Sequence, residues 1–377
     1  MSSEHYADPH PEYWEQYSNL QHVKHGLIRE YLNGWFPKLG LGSWAGRILY
    51  IDTHAGRGRH ATGDLGSPLV ALRTFLDHRF RDRILQRSEV RFIFMERDAE
   101  NMRALEADLK ACPPLPSGVH VDRYAHDFQE VLQSSLDALA ATGKSMAPSF
   151  MFVDPYGFKI PYPLLAEFMA FRGVELFVNV MWRYLDMAIA QAEAHEGMRS
   201  TLNLVFGSSR WEHQVSSLDS DTRCQQGLSL IRSLVGSKWA TWVHMLGENN
   251  LTEYALLHLT NHDAGRDLMK TVMWKVCPMA DGKFVARKAD DPSQGILLVP
   301  EPDLTPLRQK VSAILRTKPT RWQALHGALR GDLWLDKHAN QVVRELRRED
   351  LIEDEDYQGP FSARNNPLLR WKGKGTC

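Results

Sequence analysis

The chain has 377 residues, 43% of them hydrophobic and 24% charged, which is enough for a large soluble core and more than one average domain. A net charge of −1 and a pI near 7.0 exclude a global field that draws in nucleic acid, so any such contact must come from a local basic face. Cys112, Cys224, Cys277 and Cys377 are scattered without a C-x-x-C pair, which argues against disulfides and a zinc site, and no apolar run reaches membrane-spanning length.

The chain opens on MSSEHYADPHPEYWEQ, polar and acidic, unlike a signal or transit peptide; the compartment expected is the cytoplasm. Residues 19 to 36 place Leu20, Val23, Leu27, Ile28, Tyr31 and Leu32 at helical spacing, and Gly34 and Pro37 predict the end of that helix. Five strand-like runs follow, at 47 to 52, 90 to 96, 119 to 124, 149 to 154 and 174 to 180. Amphipathic helices separate them. Asp98 is placed to cap one whose apolar positions include Met102, Leu105 and Leu109, and Phe128, Val131, Leu132, Leu136 and Leu139 stripe another. This alternation predicts an α/β fold, a doubly wound, mostly parallel sheet with helices on both faces.

Residues 181 to about 245 break the rhythm and read as a mostly helical insertion containing Trp182, Arg183, His195, Trp211 and His213. The pattern then resumes with a strand at 253 to 262, a helix from Gly265 to about Trp274 and an apolar run at 295 to 300, so the first domain is expected over 1–300. Pro300, Pro302 and Pro306 mark a linker. Residues 303–377 form a second domain. Three helices, the last with Ala339, Val342, Val343 and Leu346 on its buried side, precede a β-ribbon, which predicts a winged helix-turn-helix.

Two segments carry the chemistry. ILYIDTHAGRGRH ends an apolar run in Asp52 and a small-residue loop with Ala55, Gly56 and Gly58; FMFVDPYGFKIP ends another in Asp154, Pro155, Tyr156 and Gly157. An open α/β sheet builds a nucleotide pocket from such strand ends, and the pair in this order points to a methyltransferase that uses S-adenosylmethionine (SAM). Glycines at 56 and 58 allow close backbone approach, and Asp52 can hold an ammonium group or a water. Glu96, ending the second strand, can accept both ribose hydroxyls, although it lies well beyond the usual ~20 residues past the loop, so RHATGDLGSPL reads as an insertion. Asp127 can bond an adenine amino group while Phe128 stacks on the base; equally, Asp127 can cap a helix and Phe128 can belong to a core stripe. Asp154 with the Pro155 carbonyl can accept the N–H protons of an exocyclic amine and Tyr156 can hold a flat base, the alternative being a plain strand-ending turn. Asn179, Trp182, Arg183 and Tyr184 can face substrate or the core. His22, His25, His54 and His60 lack the pattern of a metal set. Lys337, Gln341, Arg344 and Arg348 share one face of the third carboxyl-terminal helix, fit either for DNA or RNA phosphates or as a solvated face paired with Glu345 and Glu349.

These residues make the chain resemble the three-Cys-motif partner protein (TcmP) family over nearly its whole length. The resemblance rests on the amino-terminal helix, the D-x-x-A-G-x-G loop (Asp52, Ala55, Gly56, Gly58), G-S-P-L at 66 to 69, D-P-Y-G, the T-N-H-x-x-G-x-x-L-M-K segment at 260 to 270 and the winged-helix end. It implies a Rossmann-like methyltransferase-type domain and a partner carrying a three-cysteine motif, of the radical-SAM-like or phage-associated kind. The family commonly shows F-A-G-P-G where this chain has His54-Ala55-Gly56-Arg57-Gly58. D-P-Y-G is also similar to the D-P-F-G turn of tRNA guanine-N2 methyltransferases and, more distantly, to the D-P-P-Y turn of adenine-N6 enzymes. The expected function is a SAM-dependent methyltransferase acting on a nucleobase or related ring nitrogen. The alternative is a non-catalytic adaptor that binds nucleic acid or the partner through its winged helix.

Overall fold

The computed structural model describes residues 14–42, 46–277, 279–280, 283–288, 302–355, 361 and 365–372. The chain separates into two compact units, Met1–Gly295 and Ile296–Cys377. The start of the chain and the 295–300 run lie outside the described residues.

The first unit is built on strands β1 (Gly46–Asp52), β2 (Ser88–Met95), β3 (Val119–Tyr124), β4 (Ser149–Val153) and β5 (Val174–Val180), all parallel in the order β3-β2-β1-β4-β5. β6 (Trp239–Leu246), β7 (Thr252–Thr260), β8 (Met279–Ala280) and β9 (Lys283–Arg287) extend it, with β7 antiparallel to β5. The result is the mixed α/β, mostly parallel sheet expected from the alternation. Its central strands are buried on both faces, so they read as continuous apolar runs rather than alternating ones. On one face Leu49, Ile51, Met151, Val153, Leu176 and Val178 meet the helices Phe128–Thr142, Tyr162–Met169, Trp182–Ala192 and Ser220–Val235. On the other, Tyr50, Phe92 and Phe150 meet Tyr31, Trp35 and Phe36 of the helix Asn19–Gly40.

The chain order reverses between β1 and β4, which leave the glycine loop and D-P-Y-G on neighbouring strands. Asp52 stands beside Phe152, and the Thr53 N–H donates to the Phe152 carbonyl at 3.0 Å. A crevice outside the carboxyl ends of strands at such a reversal is where open α/β sheets bind ligands.

Three expectations are corrected. The amino-terminal helix does not stop at Gly34 or Pro37 but runs to Gly40. Proline supplies no N–H to the Asn33 carbonyl, and His78 Nε2 lies 3.0 Å from that oxygen in its place, so the break costs less than it does in an isolated helix. Gly34 is a packing residue, since a Cβ there would stand 2.6 Å from Leu268. Second, the insertion is helical only from Trp182 to Val235; 239 to 246 is strand, hidden in the sequence by its aromatic and histidine content. Third, β8 and β9 were not foreseen, being short and next to the proline-rich linker.

The second unit follows the order helix Thr305–Thr317, β10 (Thr320–Arg321), helix Trp322–Leu329, helix Asp336–Arg348, β11 (Ile352–Glu355) and β12 (Leu368–Trp371). Its three strands pair antiparallel as β10-β12-β11. Leu307, Val311, Leu325, Val342, Val343, Leu346 and Leu369 form its core.

Candidate functional site

The carboxyl ends of the parallel strands open onto a cavity of about 680 Å³, within the range usual for small-molecule sites. Ala55 and Gly56 of the first loop and Asp154, Pro155 and Tyr156 of the second line it together. Glu96, Asp127 and Phe128 complete the wall. Asp52 and Gly58 do not reach it: the structure places both behind the loop, fully buried.

The loop is held from several sides. Gly56 adopts φ +63°, a left-handed conformation suited to glycine, and its N–H donates to Glu96 Oε2 at 2.8 Å. The other Glu96 oxygen accepts from the Asp98 N–H at 2.8 Å, and the Ala55 N–H donates to the Met95 carbonyl at 2.9 Å. The close approach that Gly56 permits is already used by protein, for a Cβ there would stand 2.4 Å from the ring of Trp14. Trp14 is pinned in turn, its carbonyl accepting from the Ala61 N–H at 2.7 Å. Gly58, at φ +84°, turns the chain so that its carbonyl accepts from the Gly66 N–H at 2.7 Å. Asp52 accepts from the His54 N–H at 3.3 Å. Burial, with the nearby Asp154 carboxylate adding to it, raises the Asp52 carboxyl to about 7, while hydrogen bonds from Ser67 and His54 oppose the shift.

Asp154 is braced at both carboxylate oxygens by side chains. Its Oδ2 lies 2.6 Å from Lys24 Nζ, and its Oδ1 accepts from Asn179 Nδ2 at 2.6 Å. The lysine side chain is 4% exposed and the aspartate 13%, so the charges are held largely out of water. Lys24 escaped the sequence reading because one lysine on the polar side of a helix carries no signal; it sits one turn before Leu27 and Ile28, on a face that turns out to border the strand ends. Asn179, from β5, was foreseen only as one of four candidates near 180. The structure separates that group, since Trp182 is core, 1% exposed, whereas Arg183 and Tyr184 are exposed.

Asp127 and Phe128 take the cap and core positions open to them and also line the cavity. Asp127 caps its helix by accepting from the Gln129 N–H at 2.8 Å, and Phe128 is buried in the main core; both still face the cavity. The Phe128 ring lies 5.0 Å from that of His54, whose pKa burial pulls down to about 4, so the pair is a neutral aromatic wall near pH 7. His25 is likewise held well below its usual value, by burial first and by Lys24 second. It bonds Tyr17 at 2.7 Å and, with His60 and Trp14, makes an aromatic side to the cavity. Charge is layered. The acids Glu96, Asp98, Asp127 and Asp154 are half-buried within, with the nearly buried Lys24 paired to the last of them, while the cations Arg97, Lys159 and Lys288 are exposed at the rim.

No protein-family model matches the chain, and neither does any curated protein. Among solved structures it is similar to a Legionella pneumophila protein of family DUF519, at 14% identity and a TM-score of 0.35, covering 62% of this chain and 84% of that one. It is also similar to Trm1 from Pyrococcus horikoshii, solved as a complex with S-adenosyl-L-methionine, at 9% identity and a TM-score of 0.37, covering 95% of this chain and 92% of that one.

In the second unit, Lys337, Gln341, Arg344 and Arg348 are all exposed on the helix Asp336–Arg348, opposite the buried Ala339, Val342, Val343 and Leu346. Nearby acids are partly neutralised within the unit: Glu349 pairs with Arg308, and Asp354 lies 3.2 Å from Arg347. No described helix is long and apolar enough to cross a membrane.

Proposed function

We propose that the protein is a SAM-dependent methyltransferase acting on a nitrogen of a nucleobase or related ring, in nucleic acid. One observation carries the reading: the glycine loop after β1 and the D-P-Y-G turn after β4 line a single cavity. The residues present fit the cofactor. Glu96 offers carboxylate lone pairs beside a glycine loop, Phe128 and His54 offer a neutral aromatic wall for adenine, and the inner acids favour a cationic ligand. Bound there, SAM supplies a methyl group already activated by its sulfonium.

The chain's own task is orientation and desolvation. Asp154 and the Pro155 carbonyl accept the N–H groups of the acceptor amine, turning its lone pair toward the methyl, and Asp154 takes the proton that the nitrogen loses. Lys24 and Asn179 fix the carboxylate for that role. Tyr156 presents a flat face to the ring. Asp52 and Gly58 shape the loop from behind rather than touching the ligand.

The carboxyl-terminal unit has the element order of a winged helix, and Lys337, Arg344 and Arg348 are the side chains to lie along phosphates. The resemblance to the three-Cys-motif partner family adds a protein partner with that motif. Mass spectrometry of bulk DNA, of tRNA and of a co-expressed partner, with and without this protein, is the test. A gain of one methyl on a base is expected; no gain on any nucleic acid, or a gain on the partner alone, overturns the nucleobase reading.

A further inference from the structure

At the cavity mouth stands an aromatic pair that cofactor binding does not explain. Tyr156, of the D-P-Y-G turn, is 48% exposed, and Tyr184, near the start of the helix Trp182–Ala192, is 40% exposed. Their ring centroids are 6.4 Å apart and tilted by 52°. Large aromatic side chains left in water at a cavity entrance are unusual in a chain that buries Trp35, Trp182, Tyr31, Tyr50 and Tyr162 almost completely.

The helix that carries Tyr184 repeats the theme. Trp182, Leu185, Ala188 and Ala192 point into the core, whereas Arg183, Tyr184 and Met187 form the outer face, with Met187 51% exposed. Positions 184 and 187 are neighbours on a helix surface, so ring and thioether make one apolar patch with a guanidinium beside it. Arg183 makes no ion pair with the described residues. Lys159 and Lys288 stand exposed on the same rim, the latter 3.2 Å from Glu248. Glu253 is the rim's half-buried acid.

We infer that the face Arg183–Tyr184–Met187, continuous with Tyr156, is a docking platform for an unpaired stretch of polynucleotide, on which the nucleotide next to the target base stacks. The inference rests on the nucleobase reading above and sharpens its substrate to a single-stranded or looped nucleic acid. Flat exposed rings accept any base, and scattered cations follow a phosphate backbone without reading sequence. A folded protein partner would favour a larger continuous apolar patch than two rings and a methionine among cations. A free nucleoside would have no use for a platform outside the cavity.

The test is fluorescence anisotropy of the full-length protein at low salt with short labelled single-stranded RNA, single-stranded DNA and a matching duplex. Single strands should bind more tightly than duplex, and the better of the two identifies the natural source. Tyr184→Ala should weaken single-strand binding roughly tenfold, as expected when one base loses one stacking ring. Tyr184→Phe should restore it, and Met187→Ala should give a smaller loss in the same direction. Both positions are on an exposed helix face, so folding is expected to survive, checked by circular dichroism. Equal binding by wild type and Tyr184→Ala, tighter binding of duplex, or no binding of any oligonucleotide overturns the inference. Cofactor titration of the same samples keeps the two readings apart. Oligonucleotide binding without cofactor binding removes the methyltransferase and leaves the platform; the reverse removes the platform alone.

Discussion

Asp154→Ala is expected to stop methyl transfer and to destabilise the first unit at the same time. The catalytic part follows from losing the acceptor for the amine protons, a contribution of roughly 10²–10⁴ in rate for a positioned acid or base. The structural part follows from Lys24, whose nearly buried ammonium would lose its carboxylate at 2.6 Å. Breaking such a pair from one side costs about 3–5 kcal/mol, because the remaining charge stays in low dielectric. The two effects separate in a double-mutant cycle. Lys24→Met combined with Asp154→Ala should recover much of the lost stability and none of the turnover. Cofactor affinity, measured by calorimetry on each folded variant, should stay near that of the wild type. Equal loss of affinity and turnover in Asp154→Ala would reassign the residue to cofactor binding.

Glu175→Ala should be the most damaging single change away from the cavity. Glu175 lies at the start of β5, 6% exposed, and its carboxylate gathers Tyr31, Trp35 at 3.2 Å and His258 at 2.9 Å. These partners come from the amino-terminal helix and from β7, so one carboxylate ties both to the parallel sheet. Removing it strands three buried polar groups, each at a cost of roughly 1–3 kcal/mol, and leaves a void under the helix. A fall in melting temperature of the order of 10 °C is expected. Glu175→Gln should also destabilise, because the amide NH₂ would face a group that now donates. Thermal melts of the two variants check this; a change within about 2 °C for both would show that the network contributes little.

That network also explains what sequence alone left opaque. The T-N-H-x-x-G segment stood out only as a resemblance. In the structure Gly265 is required because a Cβ would stand 2.7 Å from the Glu175 carboxylate and 3.0 Å from Thr260 Oγ1. The central parallel strands β1, β4 and β5 were legible because strands buried on both faces read as nearly continuous apolar runs. Asp98 and Asp127 were legible as caps because helix starts have a local code. β6 was not, since Trp239, Trp242 and His244 mimic the helical insertion before them and pairing with β7 is a non-local event. Lys24 was hidden, and Tyr184 was left between substrate and core, for a related reason. Whether a lysine is buried against an acid 130 positions away, or a tyrosine stands in water at a cavity mouth, is decided by packing. Gly58 was legible as a loop glycine but not in its place, for it makes a turn behind the cavity wall rather than part of the lining.

The most direct measurement of all is calorimetric titration of the purified protein with SAM, set beside the same titration of Glu96→Ala. A cavity lined by the glycine loop, Glu96 and the D-P-Y-G turn should bind the cofactor with one site per chain, and loss of the Glu96 carboxylate should weaken binding at least tenfold in a variant that remains folded. No heat of binding for the wild type at near-millimolar cofactor, or unchanged affinity in Glu96→Ala, would contradict the assignment of this cavity to SAM.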